Sequence, residues 1–191
     1  MLAVTGLRSR IIEELIPLLP QGEQVVRIDE EPPVAWRYVL CAGTLNRKPL
    51  YDQSMTEITD SLHVNLVRPI QLCEAILRRE GPARIVVIGS ESGFAWSYDD
   101  TYAAAKAGLH RYVETRKLRP EQQLVCVAPS IIADSGMTRS RTDTANLESR
   151  RLAHPKRRFL RAVEVARLIH FLLYVDEGYL SGQVIRMNGG V

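Results

Sequence analysis

Tyr102 and Lys106 stand four residues apart in the run Tyr-Ala-Ala-Ala-Lys. On a helix that spacing puts both side chains on one face, within reach of one ligand. A phenol has an ordinary pKa of about 10 and is a poor acid-base group near neutrality. An ammonium beside it favours phenolate and draws that pKa down, so that proton exchange with a carbonyl or an alcohol becomes feasible. The pair alone is a weak signal, because such spacings arise by chance on many surface helices. Ser90 strengthens it, following the apolar run Ile-Val-Val-Ile-Gly twelve residues before Tyr102. A hydroxyl at the carboxyl end of a buried strand lies where open α/β sheets bind ligands, and it is suited to holding a substrate oxygen. Asn65 is embedded in apolar sequence ahead of Pro69. An amide there has a structural use, bonding core backbone whose carbonyls a proline kink frees.

The elements that position these residues follow from periodicity. Residues 2–5, 24–28, 38–42, 84–89, 123–127 and 183–187 read as short apolar strands. Residues 8–19, 55–79, 99–117 and 163–174 carry apolar residues at helical spacing. Residues 134–161 are polar and without a convincing period, an excursion of the length that compact domains keep for function. Strands alternating with helices predict an α/β fold, a doubly wound, Rossmann-like parallel sheet of about six strands with helices on both faces.

The chain has 191 residues, 46% hydrophobic and 25% charged, with a net charge of +3. That size suits a single domain over 1–191, with residues 134–161 as a candidate substrate lid. The composition excludes disorder and a disulfide scaffold. No run approaches the ~20 apolar residues of a membrane span, and the N-terminus lacks a secretory cleavage pattern. Cys41, Cys73 and Cys126 sit singly in apolar segments, without metal-ligand spacing, and read as buried thiols of a cytoplasmic protein. Eight basic residues face Asp143 and Glu148 between Arg139 and Arg161, a local excess of six. That excess would attract an anionic small molecule, such as a carboxylate, a phosphate or a carrier-linked acyl group, or it belongs to a solvated, mobile lid. With Phe159 its only aromatic, it is discounted as a nucleic-acid surface.

The order Asn65, Ser90, Tyr102, Lys106 resembles the catalytic tetrad of the short-chain dehydrogenase/reductase family. Thr5-Gly6 resembles the start of that family's TGxxxGxG loop, and Cys41-Ala42-Gly43 the end of its NNAG motif. Pro129-Ser130-Ile131-Ile132 resembles its PGxI motif, and Gly182 to Gly190 its final strand and turn. The resemblance implies a nicotinamide-dependent oxidoreductase interconverting an alcohol and a carbonyl. Tyr102 would be the general acid, Ser90 would hold the oxygen, Lys106 would bind the nicotinamide ribose, and Asn65 would position a water. The NAD or NADP site would draw on Thr5, Gly6, Arg8, Arg10, Ile11, Asp29, Cys41, Ala42, Gly43, Tyr102, Lys106, Pro129 and Ile132. The resemblance also implies a homodimer or homotetramer built on the helices around 55–79 and 99–117. Trp36 and Trp96 suggest themselves as fluorescent probes of cofactor binding.

The departures from the family are informative. Arg10 and Ile12 replace glycines that allow close approach to the pyrophosphate. Either Arg10, with Arg8, supplies a direct phosphate contact, or the loop is loosened. One strand–helix unit is missing between Gly6 and Gly43. Asp29 therefore ends either the second strand, where it accepts the ribose hydroxyls and favours NAD, or a remnant of the third, nearer the adenine. Arg27 keeps NADP open. Asp134 stands where the family often has threonine, and is tolerable near phosphates only if it turns outward or pairs with an arginine of the following loop. The rival reading is a binding or regulatory relative with weak or no dinucleotide affinity.

Overall fold

The computed structural model describes residues 1–95 and 97–191, so Trp96 lies outside the described residues. Among the described residues six strands form one all-parallel sheet: β1 (Leu2–Thr5), β2 (Val25–Arg27), β3 (Arg37–Leu40), β4 (Ala83–Ile88), β5 (Gln122–Pro129) and β6 (Gln183–Met187). Their order across the sheet is β2-β1-β3-β4-β5-β6. Alternate residues of each strand face opposite layers. Leu2, Val4, Val39, Val86 and Val125 pack against α1 (Arg10–Leu15) and α7 (Ala162–His170). Ala3, Tyr38, Leu40, Ile85, Val87 and Leu124 meet α3 (Arg68–Leu77) and α4 (Asp100–Thr115). Burial on both faces is why the central strands read as continuous apolar runs. No helix among the described residues is long and apolar enough to cross a membrane.

The chain leaves β1 toward β2 and returns to the other side of β1 as β3. That reversal opens a crevice at the carboxyl ends of β1 and β3, the position where such sheets take ligands. β2 pairs directly with β1, Val26 beside Ala3, so Asp29 follows a strand in the second position rather than a remnant of the third.

No helix links β2 to β3. Residues 28–36 form an irregular, bent strap instead, fastened from the α3 side. Arg68 donates to the carbonyls of Asp29 and Glu30 (both 2.5 Å), and Arg79 to those of Pro33 (2.8 Å) and Pro32. The Tyr38 hydroxyl donates to Pro33 O (2.9 Å) and accepts from Ala35 N (2.8 Å). The strap does the covering that a helix would otherwise do.

One expectation gains a detail and another needs correction. The helical stretch expected over 55–79 runs unbroken from Met55 to Leu77, as α2 (Met55–Leu62), a π-turn (His63–Val67) and α3. Pro69 has no N–H to return to the preceding turn, and the ladder slips there without breaking. The polar stretch 134–161 contains two helices, α5 (Gly136–Arg139) and α6 (Thr144–Ala153). No residue of α6 is buried, so it has no apolar stripe to betray it. Pairs such as Arg151 with Glu148 (2.5 Å) support it.

Candidate active site

Ser90, Tyr102, Lys106 and Asn65 all come to the carboxyl end of the sheet, and each is buried. Ser90 lies just beyond β4, where its hydroxyl accepts from Ser92 N at 3.2 Å. Tyr102 and Lys106 share one face of α4, the Lys106 ammonium 5.6 Å from the phenol ring centre. Lys106 Nζ donates to Ile88 O at 2.8 Å. Burial pushes the Tyr102 phenol up to about 12, the Ser90 side chain drawing it the other way. The expected lowering by Lys106 is therefore not realised: the ammonium is turned to the β4 carbonyl, and desolvation of the phenolate outweighs it. Burial likewise pulls Lys106 down to about 8.

Asn65 sits in the π-turn. Its Nδ2 donates to Thr44 O (2.9 Å) and Ser61 O (3.0 Å), and its Oδ1 accepts from Thr44 N (3.1 Å). Both amide protons are committed, which leaves one lone pair on Oδ1 for a water. The structural use foreseen for this amide is real, and it fixes the loop after β3.

Asp99 went unnoticed in the sequence, although Asp before a helix is a start signal. It is fully buried. Its Oδ1 caps α4 through Tyr102 N (3.0 Å) and accepts from Gln53 Nε2 (3.2 Å), while Oδ2 accepts from Asn46 N (2.7 Å). One carboxylate thus locks the helix that carries Tyr102 to the loop between β3 and α2. Asp99→Ala removes the cap and takes the acceptor from two buried donors, Tyr102 N and Gln53 Nε2, and from the half-buried Asn46 N, and is expected to destabilise the fold by about 2–4 kcal/mol. Urea titration checks it, a loss under about 1 kcal/mol being the failing result.

On the other side of the crevice the Thr5 hydroxyl accepts from Cys41 N (3.0 Å) and Ala42 N (3.1 Å), clasping the ends of β1 and β3. Gly6 has φ +67°, and a Cβ there would stand 2.8 Å from Ala42 N. A Cβ on Gly43 would come to 3.1 Å from Asn65 Oδ1 and 4.0 Å from Lys106 Nζ, so the Cys41-Ala42-Gly43 turn does reach the Lys106 side. Arg8 is exposed. Arg10 is drawn to Glu13 (3.1 Å), Glu14 and Asp134 (3.7 Å). Asp134 accordingly pairs with Arg10 of the first loop, not with an arginine of the segment that follows it, and its Oδ1 accepts from Ala162 N (2.9 Å) to start α7. Ile11 is directed into the core beneath the sheet, away from the crevice. Asp29 is exposed and paired with Arg27 (2.7 Å). Pro129 ends β5, and Ile132 is buried in a bridge to Leu160. Trp36 lines a cavity with Arg84 and Pro120 at the opposite, amino end of the strands, so it is a poor reporter for the crevice.

The loop after β3 and α5 are joined by one side chain. Arg47, from the loop after β3, donates to Ser140 O (2.8 Å) and to the Ser140 hydroxyl at the end of α5. Met137 of α5 lies beneath, its methyl 3.7 Å from where a Gly43 Cβ would be.

Comparison with known proteins places this architecture. Residues 37–191 match the family model described as enoyl-(acyl carrier protein) reductase. The 3-oxoacyl-[acyl-carrier-protein] reductase FabG of Pseudomonas aeruginosa is 35% identical over 159 residues, 78% of this chain and 63% of that protein. The chain belongs to the short-chain dehydrogenase/reductase family. Among solved structures, an oxidoreductase of the family from Burkholderia thailandensis matches with TM-score 0.81 at 22% identity, covering 99% of this chain and 91% of that one. ElxO solved with NADPH bound matches with TM-score 0.77 at 17% identity, covering 99% and 97%. At these identities the structures speak for the fold, which is Rossmann-like as the alternation predicts. The chain spans less than two thirds of the length of curated relatives such as those of Buchnera aphidicola and Chlamydia trachomatis, 63% and 62%.

Proposed function

We propose that the chain is a nicotinamide-dependent oxidoreductase reducing a carbonyl to an alcohol, with a 3-oxoacyl thioester as the substrate class. The convergence of Ser90, Tyr102 and Lys106, all buried at the carboxyl end of the sheet, carries this reading. The substrate class is supported by the relatives named as 3-oxoacyl-[acyl-carrier-protein] reductases and by the six-charge basic excess in 139–161, a lid suited to an anionic carrier. A homodimer or homotetramer in the cytoplasm fits the same reading, with Met55 and Val67 exposed on α2 and the π-turn after it.

The crevice fits a dinucleotide at its Thr5–Gly6 and Cys41–Gly43 turns, where a Cβ on Gly6 would meet Ala42 and one on Gly43 would lie 4.0 Å from the buried Lys106 ammonium, so that glycine leaves the room a ligand needs. Gly6, Ala42, Gly43, Lys106 and Ile132 would hold it, with Asp29 at the adenosine end. When bound, the nicotinamide supplies hydride to the carbonyl carbon. Tyr102, protonated throughout the neutral range, gives its proton to the oxygen as negative charge develops. Ser90 donates its hydroxyl proton to the same oxygen, its own lone pair being engaged by Ser92 N. Lys106 holds positive charge beside Tyr102, and the free lone pair of Asn65 orients a water toward it. The decisive experiment is NADPH and NADH oxidation in the presence of acetoacetyl thioester. Failure to bind either dinucleotide, with no turnover on a range of carbonyls, would favour the rival reading of a binding or regulatory relative with weak or no dinucleotide affinity, which the loss of two loop glycines supports.

Two expectations follow. With Lys106 titrating near 8 and Tyr102 near 12, kcat/KM for reduction should be level below pH 8 and fall as pH rises through it. The sign follows from Lys106, which loses its charge first; a pH–rate profile with no limb near 8 counts against its role. Second, Arg10 already serves three carboxylates, so Arg10→Ala should weaken dinucleotide binding less than about tenfold, below the range of a charged hydrogen bond to phosphate. Calorimetry decides, and a larger loss restores the direct phosphate contact.

A further inference from the structure

Tyr102, Lys106 and His110 recur at intervals of four on α4, and the third of them is as buried as the others, at 3% exposure. Gly89 N still belongs to the sheet, donating to Val127 O at 2.8 Å. Ser90 N donates instead to His110 Nε2, at 3.3 Å. A ring nitrogen accepts only when it carries no proton, so the imidazole here is neutral and protonated on Nδ1. That Nδ1 is buried and without a hydrogen-bond partner among the described residues.

The ring occupies a slot that only glycines leave open. A Cβ on Gly89 would stand 2.4 Å from His110 Nε2, and one on Gly93 would stand 2.5 Å from its Cε1. Phe94 stacks on the imidazole at 4.5 Å, and the Arg186 guanidinium lies 4.6 Å from the Phe94 ring centre while pairing with Glu91. The short turn carrying Glu91 to Gly93 is therefore gripped between β6 and α4, with Ser90 at its start. Charged groups facing the ring are Lys106 from its own helix and Glu91 from the turn; the Cys126 thiol of β5 closes the slot beside Gly89. Burial and Lys106 hold the imidazole down at about 4, with Glu91 opposing.

We propose that His110 is a positioning residue: its neutral Nδ1–H tautomer holds the Ser90 amide through Nε2 and thereby sets where the Ser90 hydroxyl stands against Tyr102. The assignment rests on the reading of Ser90 as donor to the substrate oxygen. It gives that hydroxyl a fixed origin, with Ser92 N directing its lone pair and the hydroxyl proton left for substrate.

Two measurements test it. Nitrogen NMR of the ligand-free wild type should show His110 with a bare Nε2, coupled across the hydrogen bond to the Ser90 amide. An Nε2–H tautomer overturns the proposal. In NADPH-dependent reduction of acetoacetyl thioester, His110→Met keeps the reach of the side chain and replaces the ring nitrogen by a thioether, a poor acceptor. It should lower kcat by about 10²-fold, the usual consequence of ångström-scale misplacement, with KM nearly unchanged. His110→Gln places an amide oxygen near the Nε2 position and should recover most of that loss. Equal losses in the two variants at equal melting temperature overturn the proposal. The NMR result stands even for a wild type that turns nothing over, an outcome that would sink the reaction and not the hydrogen bond.

Discussion

Tyr102→Phe is expected to lower kcat for carbonyl reduction by about 10²–10⁴-fold, the usual contribution of a positioned general acid. Dinucleotide affinity should stay within a few-fold of the parent, because the phenol oxygen serves only the proton transfer in this scheme. The ring fills its buried place on α4 with or without the hydroxyl, so the fold should hold. Burial makes the test clean. Water cannot readily replace a donor at a position only 9% exposed. Steady-state kinetics with acetoacetyl thioester, alongside calorimetric titration of dinucleotide, separates the two effects. Unchanged turnover would remove Tyr102 from the mechanism, and a large loss of binding would reassign it to holding the cofactor.

Gly6→Val should be severe for stability. The backbone there has φ +67°, and a Cβ would meet Ala42 N at 2.8 Å and the Cys41 carbonyl carbon at 2.9 Å. Left-handed geometry costs about 1–2 kcal/mol for a residue with a side chain, and forcing backbone apart adds about 1–3 kcal/mol. The expected total is about 2–5 kcal/mol. The strain falls on the clasp in which Thr5 accepts from Cys41 and Ala42, so dinucleotide binding should fail together with stability. Gly22→Ala is the control, with φ +81° but nothing within 4 Å, and should show the conformational cost alone. Chemical denaturation of the two variants gives both numbers, and equal losses would mean that the close approach at Gly6 relaxes freely.

Much of this was legible in the residues. The strands announced themselves because both faces of the sheet are covered, and Ser90, Tyr102, Lys106 and Asn65 reach the same end of it. What stayed hidden has physical reasons. Helix α6 has no buried side, so no period marks it. One of the three carboxylates around Arg10 is Asp134, far away in the chain, and only folding brings those two together. Asp99 and His110 were visible as letters, one as a helix start and one on the Tyr102–Lys106 face. Their importance lies in the donors they satisfy, Tyr102 N and Ser90 N, which no spacing rule reveals.

Ending the sheet at β2 also gives the molecule a raw border. The outer N–H and C=O groups of that strand have no neighbouring strand to pair with, and such rows template the addition of a segment from another chain. Here the row is three residues long, Val25–Arg27, and the Arg27–Asp29 ion pair with Glu30 and Glu31 follows at once. Brevity and charge keep the border from acting as a seed for fibrillar stacking. A sheet bordered by an unpaired strand must make that margin unattractive, and this one does so with its shortest strand.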